Sequence, residues 1–386
     1  MTAPPRRWDI FCRVVDNFGD AGVSWRLARQ LAAEHGIDVT LWLDHVAALA
    51  RIAPGIAPDA AVQRTHGVTV RHLADPLPVA NPADVVVEAF GCGLPEAYLA
   101  AMAARARPPT WLVLEYLSAE PWVEEAHGLA SPHPRLPLAR RFWFPGFTAG
   151  TGGLLRERGL FGKRDAFRAD VTAQAALWAS LGVPDPAPAE IRLSLFCYPN
   201  RVLPALLDAW ADGEPAIVCL VPAGVATGAL DAWAGGSVPH AGGPPLIRGR
   251  LRLHSIPFVS QDDYDRLLWA CDVNFVRGED SIVRAQWAAR PFAWQIYPQA
   301  QRVHLGKLGA FLDRYTAALD PAAAAAVRRF MGAWNADPDA GGIGPAWLEF
   351  AAARPLLVAH GPEWAASLAG VPDLAAGLVN VAASGV

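Results

Sequence analysis

A strand, a glycine turn and a helix in succession are predicted for residues 273–290. The apolar run at 273–276 favours a strand, Gly278 a turn, and the apolar spacing after Asp280 a helix. The free backbone N–H groups and the dipole at such a helix start attract an anion, typically a phosphate. Arg277 and Arg284 flank this turn. The alternative is an ordinary strand–helix turn in which Asp280, or the serine after it, only caps the helix.

The elements that position this turn alternate between strands and helices along the chain. Apolar runs predict strands in the first half at residues 8–15, 37–43, 83–90 and 110–116. Further runs predict strands in the second half at residues 191–198, 216–221, 251–259, 273–276 and 292–297. The aromatic stretch 140–148 is interpreted as a loop. Strands alternating with helices through short glycine-containing turns predict an α/β fold with doubly wound sheets.

The proline-rich stretch 184–188 is the best candidate linker between two Rossmann-like halves. We therefore expect an N-terminal domain at residues 1–183, a C-terminal domain at 184–345, and helices with a tail at 346–386. Ligands bind such sheets outside the carboxyl ends of the strands. The polar loop 16–22 and the loop 277–281 both follow strands, one in each half, so they are expected to face each other across a cleft.

Composition excludes several classes of function. The 386 residues are 53% apolar and 18% charged, which indicates a globular chain. The net charge of −4 argues against a nucleic-acid binder. The sequence contains no uncharged apolar window of eighteen residues, so no membrane span is predicted. Five scattered cysteines suggest reduced thiols in the cytoplasm. Neither Cys-x-x-Cys nor His-Glu-x-x-His is present, so we expect no metal site.

Three motifs together resemble one family. These are DNFGDAGVSWRL at 16–27, PFVSQDDY at 257–264 and RGEDSIVRAQW at 277–287. They are similar to the EarP family of bacterial protein-arginine rhamnosyltransferases, and the resemblance covers essentially the whole chain. It implies a GT-B fold, two facing Rossmann-like domains, and an inverting transferase without metal or cofactor. The donor would be dTDP-β-L-rhamnose. The acceptor would be one arginine of translation elongation factor P, which is thereby activated to rescue ribosomes stalled at polyproline.

The resemblance also implies roles for individual residues. Asp16 and Asp20 match the acceptor-side acidic pair, with Asp20 as the base. Asn17 and Gly19 lie in the same motif and are expected to contribute to substrate or donor binding. The positions that match the nucleotide-sugar site, or lie beside it, are Phe196, Tyr198, Phe258, Gln261, Arg277, Glu279, Asp280 and Ser281.

The chemistry of the acceptor limits what Asp20 can do. A guanidinium has a pKa above ~12 and an ordinary aspartate one near ~4, so full deprotonation before attack costs roughly 11 kcal/mol. Asp20 is therefore expected to orient the guanidinium and to take the proton as the C–N bond forms. Asp16 would hold the guanidinium from its other side. In the alternative interpretation, Asp20 caps a helix that begins near Gly22, and Asp16 forms an Asx-turn.

Two other functions stay open from the sequence. One is a glycosyltransferase of the same architecture that acts on a different acceptor. The other is a protein without catalytic activity that binds a translation factor under the control of a nucleotide sugar.

Overall fold

A computed structural model of the chain describes residues 7–73, 81–337 and 340–384, apart from the side chains of Asn17 and Ala300. These residues divide into two compact units. The first unit comprises residues 1–158 and 368–386, and the second comprises residues 159–367. The C-terminal residues thus belong to the same unit as the N-terminal ones.

The first unit is built on one sheet, which has eight strands within the described residues. The strands are β1 (Arg7–Cys12), β2 (Asp38–Leu43), β3 (Val62–Thr65), β4 (Val68–His72), β5 (Val85–Ala89), β6 (Thr110–Leu114), β7 (Ala130–Pro132) and β8 (Ala139–Trp143). Their order is β3-β4-β2-β1-β5-β6-β8-β7, and only the pairs at the two edges are antiparallel. The helices are α1 (Asn17–His35), α2 (Val46–Ile52), α3 (Glu96–Ala103) and α4 (Trp122–Ala126).

The central strands of this sheet are parallel because both of their faces are covered. Every residue of β5 is buried, including Glu88, whose carboxylate accepts hydrogen bonds from the N–H of Gly93 and the indole N–H of Trp111. Phe11 of β1 stacks on Trp42 of β2 with ring centroids 5.6 Å apart, and its other neighbours include Tyr98 of α3. These rings form part of the core next to the end of β1, the strand that precedes α1.

The second unit has a sheet of six strands within the described residues. The strands are β9 (Glu190–Leu195), β10 (Ala216–Pro222), β11 (Leu246–Arg248), β12 (Leu251–Ile256), β13 (Val273–Arg277) and β14 (Phe292–Gln295). Their order is β11-β12-β10-β9-β13-β14, with only β11 antiparallel. Its helices in chain order are α5 (Leu160–Ala169), α6 (Val171–Leu181), α7 (Leu203–Asp212), α8 (Thr227–Ala234), α9 (Gln261–Ala270), α10 (Asp280–Ala288), α11 (Val303–Tyr315), α12 (Pro321–Trp334) and most of α13 (Ile343–Ala369). The last helix, α14 (Leu374–Ala383), belongs to the first unit.

The two compact units differ in their bounds from the expected division at 183 and 345. Helix α5 packs on the second unit, where the ring of Phe167 contacts that of Trp269. Arg164 and Arg168 donate to backbone carbonyls at the end of α10. The proline-rich stretch 184–188 consequently lies inside the second unit, between α6 and β9.

The chain end is held by the first unit. The N–H of Leu374 donates to the carbonyl of Leu154 at 3.0 Å, and Gln30 of α1 donates to the carboxylate of Asp373 at 3.0 Å. Gly153 fits here because a Cβ at this position would lie 2.0 Å from the Pro372 carbonyl oxygen. The last helix therefore packs against α1, the helix that carries the acidic motif.

The aromatic stretch 140–148 and the apolar C-terminal stretch both bear on sequence-based expectations. The interpretation of 140–148 as a loop is wrong for its first residues, because Ala139–Trp143 forms β8 and pairs with β6. By length and composition, the described stretch Ile343–Ala383 is apolar enough to cross a membrane. An 18-residue part of this stretch has a mean hydropathy of 1.4, and 33% of that part is buried. Core helices of soluble proteins meet the same criterion, and Asp373 interrupts this stretch by capping α14.

Candidate active site

The acidic motif of the first unit lies at the carboxyl end of β1. Helix α1 begins at Asn17, so the expected start near Gly22 is wrong. The physical reason is Asp20, whose Oδ2 accepts hydrogen bonds from the N–H groups of Val15 and Asp16, both at 2.8 Å. A carboxylate in the first turn thus reaches back to donors that the helix leaves without partners. Asp20 does not occupy the N-cap position.

Asp16 occupies the N-cap position, but its side chain makes no capping hydrogen bond. Its carboxylate lies over Gly19, where a Cβ would come within 2.4 Å of Oδ2. A side chain larger than hydrogen at Gly19 would therefore push the carboxylate away. The side chain of Asn17 lies outside the part of the chain that the structure describes.

Asp20 is only 3% exposed. Burial raises its pKa above the ordinary value, and the hydrogen bonds from the backbone of Asp16 and Val15 act in the opposite direction. The negative charges of Asp16 and Asp44 raise the pKa further. Both backbone hydrogen bonds end on Oδ2. The site is therefore a fixed carboxylate whose basicity is higher than that of an exposed aspartate.

The glycine turn of the second unit has the predicted form. Strand β13 ends at Arg277, Gly278 adopts φ +61°, and α10 begins at Asp280 with Glu279 at the N-cap. The Glu279 side chain makes no capping hydrogen bond. The strand–turn–helix succession predicted from the sequence is confirmed, and its geometry presents the start of α10 at the carboxyl edge of the sheet.

Ser281 and Asp280 are engaged within the protein. The hydroxyl of Ser281 accepts from the N–H of Arg277 at 3.0 Å and donates to the carbonyl of the same residue. Its proton is thus used to close the turn. Asp280 accepts from the amide of Gln261 at 3.0 Å, so the two predicted site residues are in direct contact.

Arg277 is held against aromatic rings. Its guanidinium carbon lies 4.4 Å from the ring centroid of Phe196 and 4.5 Å from that of Tyr198. The strand predicted at 191–198 ends at Leu195 as β9, so both rings follow the strand. Phe258 packs edge-on against Phe196, with centroids 6.3 Å apart. The structure thereby brings Phe196, Tyr198, Phe258 and Arg277 together.

Arg284 does not flank the turn as a free cation. It forms a two-pronged ion pair with Asp265, with distances of 2.9 and 2.6 Å, and both side chains are buried. Such a pair ties α10 to α9 and takes Arg284 out of contact with solvent. Its expected place beside an anion is therefore wrong.

Sequence reasoning missed two tyrosines near this edge. Tyr264 packs on Phe196 with centroids 5.8 Å apart, and Tyr297 packs on Tyr198 at 5.3 Å. Tyr297 follows β14, so the rule that ligands lie at the carboxyl ends of strands could have identified it.

Over residues 7–73, 81–337 and 340–384, no group of three or more His, Cys, Asp and Glu side chains has the arrangement of a metal site.

Comparison with known proteins agrees with this arrangement. Residues 8–383 match the family described as "Elongation-Factor P (EF-P) rhamnosyltransferase EarP". The protein-arginine rhamnosyltransferase of Pseudomonas putida is 51% identical over 374 residues, which are 97% of either chain. That of Pseudomonas aeruginosa is 48% identical over 97% of this chain and 98% of its own.

A solved structure provides the same result for the fold. The structure described as "Structural basis for EarP-mediated arginine glycosylation of translation elongation factor EF-P" superposes with a TM-score of 0.70 and 36% identity. It covers 98% of this chain and 99% of its own. The two mostly parallel sheets and this match confirm the expected α/β fold of the GT-B class. The chain therefore belongs to the EarP family of elongation factor P rhamnosyltransferases.

Proposed function

We propose that this arginine rhamnosyltransferase of elongation factor P takes its sugar from dTDP-β-L-rhamnose and transfers it with inversion. The acceptor nitrogen belongs to the guanidinium of one specific arginine. The observation that carries the proposal is the Asp20 carboxylate, which two backbone N–H groups fix at the end of β1. Because its substrate is a translation factor, we place the enzyme in the cytoplasm.

The acceptor step follows from the charges around Asp20. The guanidinium nitrogen attacks the anomeric carbon, the bond from that carbon to the diphosphate oxygen breaks, and the carboxylate of Asp20 takes the proton. The pKa gap of ~8 units between guanidinium and carboxylate forbids prior deprotonation. Burial and the charge of Asp16 narrow this gap, because both raise the pKa of Asp20. Asp16 supplies a second carboxylate for the cation.

Inversion follows from the absence of a protein nucleophile in this scheme. A single displacement places the new C–N bond on the sugar face opposite to the departing diphosphate. The positive end of α10 and the guanidinium of Arg277 can stabilise the negative charge that develops on the diphosphate. Glu279 and Asp280 would repel phosphate if they pointed at it, so we assign them to the ribose and sugar hydroxyls.

The rings around Arg277 suit the nucleotide base. Phe196 and Phe258 are half-buried and present aromatic surface, while the buried ring of Tyr198 packs on Arg277. The amide of Gln261 can complement a pyrimidine. In this arrangement the base stacks on the rings, and Arg277, which packs on the same rings, reaches the diphosphate. Binding of the nucleotide-sugar donor therefore depends on a planar cation at position 277.

Intact-mass spectrometry of elongation factor P, mixed with the enzyme and dTDP-β-L-rhamnose, tests the proposed function directly. We expect a mass gain of one deoxyhexosyl residue, located on an arginine by fragmentation. Consumption of the donor without this gain would indicate another acceptor. Formation of a complex with neither donor consumption nor gain would indicate a binding protein without catalytic activity.

Donor binding by the second unit has a separate test. Arg277→Lys keeps the charge but loses the planar stack on two rings, so we expect donor affinity to fall by about 3- to 30-fold. Arg248→Lys is the matched control, because Arg248 stacks on Trp233 at 4.1 Å at the far end of the same sheet. Calorimetric titration with dTDP-rhamnose measures both variants. Equal affinities of the two variants would contradict the assignment of Arg277.

A further inference from the structure

Two aromatic residues at the carboxyl edge of the first sheet have no role in the reaction described so far. Phe90 follows β5 and Tyr116 follows β6. Their rings stack with centroids 4.7 Å apart and planes inclined by 22°. Both residues are half-buried, so the pair keeps solvent-accessible surface.

The backbone of Phe90 is strained. It adopts φ +58°, the left-handed region that favours glycine. Gly91 and Gly93, which follow in the same turn, have φ values of +60° and +72° and meet this requirement without strain. A phenylalanine at the first of these positions keeps a ring there at an energetic cost, which is typical of residues with a functional role.

The pair is placed close to the acidic motif by the sheet itself. Strand β5 lies between β1 and β6, and neighbouring strands are about 4.8 Å apart. The N–H of Phe90 donates to the Leu114 carbonyl at the end of β6. The Cys92 thiol donates to the Phe11 carbonyl at the end of β1 at 3.4 Å. The turn that carries Phe90 is thus tied to the strand from which Asp16 and Asp20 follow.

From this placement we propose that Phe90 and Tyr116 form a stacking platform for the acceptor arginine, an inference that rests on the proposed function. The guanidinium is flat and weakly hydrated, so it packs on an aromatic face while its N–H groups point sideways to carboxylates. Carboxylates alone attract any cation, including lysine. An aromatic plane beside them favours a planar cation and fixes the orientation of the attacking nitrogen.

A double-mutant cycle between enzyme and acceptor tests the platform. The enzyme variants are Tyr116→Leu, Phe90→Leu and the control Tyr116→Phe, which keeps the ring. Each is titrated with elongation factor P and with a factor whose acceptor arginine is replaced by alanine. The leucine variants should bind the natural factor about 2- to 5-fold more weakly per ring, and Tyr116→Phe should bind it within about 2-fold of the parent. None of these variants should differ from the parent in binding the alanine factor.

The outcome separates this inference from the proposed function. Equal weakening for both acceptor proteins would show that the rings only pack, and it would overturn the platform while the mass gain persists. Absence of the mass gain with the unaltered enzyme would overturn both. Donor titration and thermal unfolding of each leucine variant establish that the second unit and the fold are intact, so a selective loss against the natural factor supports the platform.

Discussion

Replacement of Asp20 by asparagine separates its chemical role from its structural role. The asparagine side chain keeps a carbonyl oxygen that can accept the two 2.8 Å hydrogen bonds from Val15 and Asp16. It loses the negative charge and the ability to take a proton. The start of α1 should therefore stay in place, while the transfer reaction loses its base.

The expected loss of activity follows from general-base catalysis. Proton acceptance by a positioned side chain contributes about 10²- to 10⁴-fold, so kcat of Asp20→Asn should fall by that factor. Donor affinity should stay within about 2-fold, because the proposed donor residues all lie on the second unit. Asp20→Ala should be equally inactive, and it should also lose about 1 to 2 kcal/mol of unfolding free energy, because two backbone donors lose their acceptor.

Stability should respond to pH in a defined direction. The pKa of Asp20 is raised in the folded state, chiefly by burial. The folded state therefore binds the proton more tightly than the unfolded chain, and ionisation of Asp20 destabilises the fold as pH rises from the unfolded value through the folded one. At pH 7 Asp20→Asn should therefore melt at a temperature equal to or above the parent. The difference should vanish below about pH 4.

The assay combines a time course of intact mass with thermal unfolding at both pH values. Asp9→Asn is the matched control, because Asp9 is also a buried carboxylate with a raised pKa that accepts hydrogen bonds from Ala83 and Tyr98. It lies within β1, so its variant should keep transfer activity. The reasoning is refuted if Asp20→Asn retains kcat within about tenfold of the parent, or if it melts as low as Asp20→Ala.

Three further predictions follow from neighbouring contacts. Asp16→Asn removes a charge that raises the pKa of Asp20, so the acid limb of kcat/KM should move to lower pH, and an unmoved limb in the pH profile would contradict this. Gly19→Ala should reduce kcat/KM about tenfold or more with unchanged donor affinity, because its Cβ would displace the Asp16 carboxylate. Asp265→Ala should lower the free energy of unfolding in urea by about 3 to 5 kcal/mol by leaving Arg284 buried without its partner, and a loss below about 1 kcal/mol would be inconsistent.

Much of the fold could be predicted because its signals are local. The central strands of both sheets are rich in apolar residues, and the glycine turn after β13 follows from the type and order of its residues. Their ends at one edge of each sheet follow from the parallel arrangement. The sequence alone therefore predicts that the Asp16 and Arg277 motifs lie at strand ends, while the roles of the individual residues are implied by the resemblance to a known family.

Other features depend on contacts between residues that are distant in sequence, and no local pattern carries them. Arg284 is unavailable to the site because Asp265 of α9, 19 residues earlier in the sequence, neutralises its charge. Residues 368–384 return to the first unit through contacts with Leu154 and Gln30. Local propensity and motifs were thus enough to predict most of the strands and the family. Which charged side chains remain available for chemistry depends on burial and pairing, and these are properties of the folded chain.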